Sequence, residues 1–447
     1  MSLLRVVRTE EAGFAGFWVG LRARLSLESA FLDRERLAGV RGIVEAVRER
    51  GDAAVAEYTT RFDKVDLRPE EFRAPAERLT AAHARLDGEL LATLRRAIGN
   101  VRDYQERIKA VGPGDWAAGE GVRLGLRYRA LRRVGVCVPG ASAPLPSTVI
   151  MTVVPALVAG VREVAVVTSP KREFADLVHP AILGLCEELR RQWGARIEVY
   201  RVSGAQAVAA LAMGTGAIGR VDKIVGPGNW WGQLAKKEVF GLVDIDSFAG
   251  PSEVLVLADE TAEAQFVAAD LLSQAEHAPG SAVLMTESAG LAQRVAAAVE
   301  EQLGQLERGE QTRACVREFA AAVVVRDRAE MVRLANEFAA EHLQVQTADA
   351  QELAQEIVNA GAIFVGPFTP VAVGDYYAGP SHTLPTGASA RFFSALNVND
   401  FLKQSSVISY SREGLAAAAG DIVRLAEVEG LTAHARSVSR RVQGGSR

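Results

Sequence analysis

The chain has 447 residues, 49% of them hydrophobic and 24% charged, so it is long enough for two or more domains with substantial cores. Its 51 basic and 55 acidic side chains give a net charge of −4, which argues against a nucleic-acid partner because such surfaces need a clustered basic excess. The three cysteines are widely separated and no apolar run of about 18 residues occurs, so we expect neither a disulfide framework nor a membrane partner. These features predict a cytoplasmic protein.

The first part of the chain is predicted to be helical. Apolar residues recur at three- and four-residue intervals over residues 37–58 and 77–109, with charged residues between them. We expect residues 1–134 to form a helical N-terminal segment. Because this segment shows no strong strand pattern of its own, we expect it to pack on the second of two α/β modules.

Short β-branched runs alternate with helical stretches from residue 132 onward. A first series lies at residues 134–138, 164–168, 197–202 and 223–225, and a second at 254–258, 282–286, 322–325, 343–346 and 362–365. Continuous apolar strands separated by helices indicate parallel sheets that are covered on both faces. We predict an α/β fold with two Rossmann-like parallel-sheet modules, residues 135–250 and 251–392, followed by a helical tail over residues 393–447.

The loops after the predicted strands leave nucleotide binding open. The first strand and its loop, VGVCVPGASAPLPST, lack the G-x-G-x-x-G fingerprint of dinucleotide-binding modules. The GPGN stretch at residues 226–229 follows a strand and precedes a helix, which suits backbone N–H groups held near a ligand. A tight turn without a ligand is the more usual interpretation of these four residues taken alone.

Four of the six histidines lie in the second half of the chain, each close to an acidic or amide residue. They are His277, His342, His382 and His434, with the neighbours Gln274, Glu341, Asp375 and Glu429. Imidazole nitrogen with carboxylate or amide oxygen is a donor set that Zn²⁺ accepts, and on chemistry alone Glu276 is a better ligand than Gln274. Structural histidines and a metal or catalytic site both remain open on this pattern.

Longer motifs carry a resemblance to a known family. AGPSEVLVLAD, DLLSQAEHAP, AAEHLQV, GDYYAGPSHTLPT and EGLTAHAR resemble the histidinol dehydrogenase family in order and spacing, over residues 37 to 436. The resemblance implies an NAD-dependent oxidoreductase that converts L-histidinol to L-histidine through L-histidinaldehyde, the last step of histidine biosynthesis. It also implies a homodimer with shared active sites and one Zn²⁺ per subunit.

The resemblance further implies roles for individual residues. The zinc ligands would be Gln274, His277, Asp375 and His434. The catalytic pair would be Glu341 and His342. The substrate contacts would be Ser252, His382 and Glu429, together with His342 and the four zinc ligands. The NAD contacts would be Cys137, Gln206 and Asn229, while Glu429 and His434 would reach the site from the partner subunit's tail.

In the implied mechanism, L-histidinol is held on zinc through its amino and imidazole nitrogens, and uncharged His342 takes the hydroxyl proton as hydride leaves. Glu341 then activates the water that hydrates the aldehyde. Neighbouring side chains of a regular strand point to opposite faces, yet both residues must reach one site. We therefore predict an irregular or turning backbone at residues 341–342.

Three other interpretations remain. One is a related zinc- and NAD-dependent dehydrogenase for another polar alcohol, such as a sulfonated diol; His382 and Glu429 favour histidinol, because a sulfonate would need added cationic donors. A second is a zinc hydrolase with Glu341 as the base, which would need no dinucleotide. A third is a non-catalytic assembly with a structural metal, although such sites usually close with Cys and His ligands.

Overall fold

The computed structural model of the protein describes residues 3–24, 26, 31–140, 144–277 and 279–443. Residues 141–143, in the loop after the first predicted strand, and the last four residues of the predicted tail lie outside this description. The strands are β1 (Arg5–Arg8), β2 (Gly114–Gly119), β3 (Val122–Ala130), β4 (Arg133–Val138), β5 (Glu163–Thr168), β6 (Arg196–Tyr200), β7 (Lys223–Val225), β8 (Asp244–Ile245), β9 (Ser252–Ala258), β10 (Gly280–Thr286), β11 (Ala320–Val324), β12 (His342–Gln346), β13 (Ala362–Val365) and β14 (Leu402–Tyr410). The helices are α1 (Phe14–Arg24), α2 (Arg34–Arg50), α3 (Asp52–Asp63), α4 (Ala76–Ala84), α5 (Gly88–Ile108), α6 (Pro146–Ala159), α7 (Pro180–Trp193), α8 (Gly204–Met213), α9 (Trp230–Val239), α10 (Ala264–Ala275), α11 (Ala289–Leu303), α12 (Gly309–Phe319), α13 (Arg328–Phe338), α14 (Ala350–Gln355), α15 (Val371–Tyr376), α16 (Arg412–Val428) and α17 (Thr432–Gln443).

The first large sheet has the strand order β6-β5-β4-β7-β8, and all neighbouring strands are parallel. Its central strands β4 and β5 are rich in buried valine because helices cover both faces of the sheet. From β4 the chain winds outward through β5 and β6, and then returns to β7 on the other side of β4. A crevice therefore opens at the carboxyl ends of β4 and β7, where the winding direction changes.

The second large sheet has the order β1-β11-β10-β9-β12-β13 and is also parallel throughout. The predicted fold class, two Rossmann-like parallel-sheet modules, is therefore confirmed. One edge strand was not predicted: β1 belongs to the N-terminal segment and pairs with β11. Its sequence RVVR has a single buried side chain, so it gives no pattern that distinguishes a strand.

The expected packing of the N-terminal segment on the second module is wrong for most of its length. Among the described residues, β1 and α1 pack there, where Trp18 shares a core with Phe338. The apolar stripe of α2, with Val40 and Ile43, packs on α8 and α9 of the first module. Helices α4 and α5 pack on α7 and α6 of the same module. The outer faces of these module helices are apolar and would otherwise lie exposed, so the first module needs this cover.

A small antiparallel sheet joins the N-terminal segment to the tail. The hairpin β2–β3 pairs with β14, and β3 and β14 are in register along their whole length. The prediction of a helical tail is confirmed by α16 and α17 but missed β14. The side chains of β14 are mostly exposed, so the strand shows none of the alternation that marks a half-buried strand. No helix in the described ranges is long and apolar enough to cross a membrane.

Candidate active site

A cavity of about 490 Å³ collects most of the predicted site residues. It lies between the carboxyl edge of the first sheet and the amino edge of the second, and loops after β4, β6 and β7 face the first residues of β9 and β12 across it. A larger cleft of about 610 Å³ lies at the opposite edge of the first sheet. Its arginines include Arg133 and Arg196, whose charges are already paired with Glu163 and Glu198. The smaller cavity is therefore the candidate active site.

Glycines form the wall of the cavity on the side of the first sheet. Gly140, Gly204 and Gly228 line it beyond the strand ends, followed by Asn229. The Asn229 side-chain oxygen accepts a hydrogen bond from the Gly232 N–H at 3.1 Å, which caps the start of α9. The cavity thus borders the positive end of a ten-residue helix, an environment that favours an anionic ligand group.

The other two predicted cofactor contacts differ in their position. Cys137 lines the cavity at the end of β4, and burial raises the pKa of its thiol to about 11, so the thiol is protonated at neutral pH. Burial therefore disfavours a thiolate nucleophile at this position. Gln206 is buried next to Gly204, and its side-chain oxygen has no hydrogen-bond partner among the described residues. Gln206 therefore lies behind Gly204 and does not itself line the cavity.

The backbone turns where the predicted catalytic pair lies. After α13 the chain passes through Ala339, whose φ of 52° is left-handed, and Glu341 lies in a bend just before β12. His342 is the first residue of that strand. Because the bend breaks the strand alternation, Glu341 Oε2 and His342 Nδ1 lie only 3.4 Å apart. The predicted turning backbone is confirmed, and both side chains line one cavity.

The first two residues of β9 hold Glu341 and His342, the predicted catalytic pair, in place. Glu341 Oε2 accepts hydrogen bonds from the Ser252 hydroxyl at 2.6 Å and from the Glu253 N–H at 2.8 Å. His342 Nδ1 lies 3.0 Å from the Glu253 carbonyl oxygen, which can only accept, so Nδ1 carries the hydrogen. In the neutral ring the lone pair then belongs to Nε2, which lies 3.6 Å from Asp375 Oδ1.

The electrostatics of this cluster follow from burial and close charges. Burial lowers the pKa of His342, but the carboxylates of Glu341 and Asp375 outweigh it and raise that pKa well above its ordinary value. Burial raises the pKa of Asp375, but the neighbouring imidazoles of His342, His382 and His277 reverse this and lower it. Burial lowers the pKa of His382, whose Nδ1 lies 3.1 Å from the Asp375 carbonyl oxygen.

Two of the four predicted zinc ligands line this cavity, and a third lies close to one of them in the chain. His277 and Asp375 line it, and Gln274 lies one turn before His277, whose N–H bonds to the Gln274 carbonyl. The Gln274 side chain is buried, and its amide nitrogen has no partner among the described residues. Over those same residues, no group of three or more His, Cys, Asp or Glu side chains is arranged to hold a metal ion. The predicted set includes two such residues at this cavity, His277 and Asp375.

The two tail residues of the predicted site do not lie at this cavity. Glu429 follows the last residue of α16, and His434 lies in α17; both are exposed. Sequence reasoning also missed residues that the structure brings to the site, namely Glu253, Gln233 and Lys236. Glu253 acts through its backbone, which leaves no signal in residue type. A buried lysine inside α9 could have been noticed as a charge on an apolar helix face.

Fold and site together are those of an α/β oxidoreductase, with a glycine-lined crevice on one parallel sheet and the predicted acid/base pair, Glu341 and His342, on the other. The comparisons give the particular family: the histidinol dehydrogenase model matches residues 29–442. The histidinol dehydrogenase of Rhodopirellula baltica is 48% identical over 408 residues, 90% of this chain and 86% of that protein. That of Moorella thermoacetica is 47% identical over 414 residues, 92% of this chain and 95% of that protein.

A solved structure agrees. The crystal structure of histidinol dehydrogenase from Elizabethkingia anophelis matches with a TM-score of 0.87 at 31% identity, covering 99% of both chains. This chain belongs to the histidinol dehydrogenase family, and the resemblance read from the sequence is confirmed. These relatives give no support to the alternative of a dehydrogenase for a sulfonated diol.

Proposed function

We propose that this chain oxidises L-histidinol to L-histidine through L-histidinaldehyde, the last step of histidine biosynthesis. Each L-histidinol would reduce two NAD molecules, and each subunit would hold one zinc ion. The observation that carries the proposal is that Glu341 and His342 lie side by side in the cavity that the glycine loops line, in a chain of this family. A cytoplasmic location is part of the proposal, since this is where a biosynthetic dehydrogenase meets NAD.

The donor set fits a zinc ion. Gln274, His277 and Asp375 would hold it, with His434 of the partner subunit as the fourth ligand. The assignment is supported by the chemistry of His277 and Asp375, whose imidazole nitrogen and carboxylate oxygen are donors that zinc prefers and which line the same cavity. When bound, zinc would supply a Lewis acid that orients the nitrogen atoms of the substrate.

The crevice at the first sheet fits a dinucleotide. The glycine-lined wall lets the backbone approach a ligand closely, and the start of α9 favours a pyrophosphate. Cys137 and Asn229 line this wall, with Gln206 behind Gly204. When bound, NAD would supply the hydride acceptor. In the proposed division, residues 135–250 bind NAD and residues 251–392 carry the catalytic and metal residues, with residues 1–134 and 393–447 as the N-terminal segment and the tail.

The two catalytic residues divide the proton transfers. His342 Nε2, with its lone pair directed away from the Glu253 carbonyl, takes the hydroxyl proton of L-histidinol while hydride leaves the carbinol carbon. His342 can accept a proton only in its neutral form. A cation held by Asp375 would favour that neutral form, because it would offset the carboxylate charge that raises the pKa of His342. Glu341 then takes a proton from the water that adds to the aldehyde. A second hydride loss from the hydrate gives the carboxylate.

The remaining substrate contacts would be Ser252 and His382 in this subunit and Glu429 of the partner subunit. A shared site in a homodimer is supported by the tail itself, in which Leu425 and Val428 are 66% and 82% exposed. Apolar side chains with this exposure on paired helices fit burial against a second copy.

One assay tests the function. We expect NAD reduction to depend on L-histidinol, to stop when a chelator removes the metal, and to yield two NADH per L-histidinol. Zinc should restore the activity of chelated protein. One NADH per substrate, or reduction only with other alcohols, would contradict the four-electron reaction. Hydrolytic activity without NAD would favour the zinc-hydrolase alternative.

A further inference from the structure

A buried ion pair lies directly beneath the glycine loop of the first module. Lys236 in α9 and Asp246 after β8 have side chains that are 2% and 4% exposed, and Lys236 Nζ lies 2.8 Å from Asp246 Oδ1. Neither residue has a role in the proton transfers described above. Replacing a buried ion pair by apolar residues is often neutral or stabilising, so its presence needs a reason other than stability.

The pair encloses a single residue, Gly226. Asp246 Oδ2 accepts a hydrogen bond from the Gly226 N–H at 2.6 Å, and Lys236 Nζ donates to the Gly226 carbonyl oxygen at 2.5 Å. With the bond between Lys236 and Asp246, these contacts form a closed ring around Gly226. Both backbone hydrogen-bonding groups of this one residue are therefore held by side chains.

Gly226 determines the direction of the loop that follows it. Its φ of 103° is a conformation that other residues rarely adopt, and a Cβ atom there would lie 2.4 Å from the Cys137 carbonyl oxygen. The next residues, Pro227, Gly228 and Asn229, line the cavity and lead into α9. A change at Gly226 would therefore reorient the N–H groups that border the dinucleotide crevice.

We propose that Lys236 and Asp246 are positioning residues for the dinucleotide: they hold the Gly226 peptide so that residues 226–229 keep their shape for binding the NAD pyrophosphate. This inference rests on the proposed function, because it takes NAD as the ligand of the loop. The pair acts through Gly226 and takes no part in the hydride or proton transfers. Its loss should weaken NAD binding and leave the rate at saturating NAD nearly unchanged.

The test compares Lys236→Met, the double variant Lys236→Met/Asp246→Asn and the control Lys223→Met, all as full-length protein. Lys223 forms a similar pair with Asp244 at 2.8 Å and donates to a backbone carbonyl, but it lies at the amino end of β7, away from the loop. The double variant removes both charges, so it avoids the uncompensated buried carboxylate that would destabilise the single variant.

NAD binding is measured by calorimetry, and the KM for NAD and kcat by NADH formation at saturating L-histidinol. We expect the Kd and KM for NAD to rise at least tenfold in both Lys236 variants, with kcat within threefold of wild type and zinc content unchanged. Lys223→Met should change the Kd by less than twofold. An NAD affinity within twofold of wild type in the double variant, or an equal loss in Lys223→Met, would overturn the inference. If the wild-type protein neither binds NAD nor oxidises L-histidinol, the proposed function itself fails.

Discussion

Replacing Glu341 by glutamine removes its basicity and little else. Oε2 of Glu341 accepts both hydrogen bonds that hold the side chain, from the Ser252 hydroxyl and the Glu253 N–H. The amide oxygen of glutamine can accept the same two bonds, so the side chain keeps its place. Loss of a general base costs roughly 10²–10⁴-fold in rate, which corresponds to about 3–5 kcal/mol of transition-state stabilisation.

The first and the second oxidation step should respond differently to the change Glu341→Gln. Because His342 takes the first proton, we expect Glu341→Gln to form one NADH per site in a single turnover within about tenfold of the wild-type rate, given the typical size of such effects. Formation of the second NADH should slow by about 10²–10⁴-fold, since hydration of the aldehyde needs Glu341. Rapid-mixing measurement of NADH, with metal analysis of the same sample, separates the two steps.

A matched carboxyl-to-amide change provides the control. Asp270 is buried in α10 of the same module, where its carboxylate accepts from Gln346 Nε2 at 2.8 Å, and it does not line the cavity. Asp270→Asn should leave both NADH steps within about twofold of wild type, as expected for a site outside the reaction. Loss of zinc in Glu341→Gln would show that Glu341 is a ligand. Equal slowing of both steps, or of neither, would refute the division of roles.

Two further predictions concern assembly and stability. Mixing Glu341→Gln protein, which is slow in steady-state turnover, with inactive His434→Ala protein should restore partial steady-state formation of two NADH per L-histidinol, because mixed dimers contain one site with neither change. No recovery despite demonstrated subunit exchange would exclude a shared site. Glu330→Gln should lower the free energy of unfolding at pH 7 by about 1–2 kcal/mol. The reason is that Arg326 lowers the pKa of Glu330 from 4.5 to about 2. This pKa shift corresponds to at most about 3 kcal/mol of stability, and solvent around the 57% exposed Arg326 guanidinium reduces that contribution. The ionised carboxylate stabilises the folded state fully above pH 4.5 and progressively less towards pH 2, so unfolding curves of the two proteins should converge in acid; a difference that is constant down to pH 3 would contradict this origin.

The parallel modules could be predicted because buried strands carry their signal in residue type. Runs such as residues 164–168 and 254–258 are continuous and β-branched, and each falls within a strand of the structure. Strands β1 and β14 could not be found in this way. Each gains its partner from a distant part of the chain, and neither has the apolar pattern that a local window detects.

The residues of the candidate site also divide into those that could be predicted from the sequence and those that could not. Side chains with distinctive chemistry, such as His342 and Asp375, could be proposed from their neighbours in sequence, and the structure brings these two within 3.6 Å. The backbone groups of Glu253 could not be proposed, because every residue carries an N–H and a carbonyl. Packing of the N-terminal helices was predicted wrongly, since an apolar stripe shows that a helix is covered but does not identify the surface that covers it.

The relation between the two sheets explains why the proposed catalytic and cofactor residues come from opposite strand ends. The crevice of the first sheet lies at carboxyl ends, where ligands of open parallel sheets usually bind. The second sheet faces it with the amino ends of β9 and β12, and there the bend at Glu341 and the first residues of β9 place an acid/base pair without disturbing the strands behind. Each module thus contributes one edge and keeps its core intact. In the proposed function one edge binds the hydride acceptor and the other carries the base, so we expect activity to depend on the distance between the two modules across the cavity.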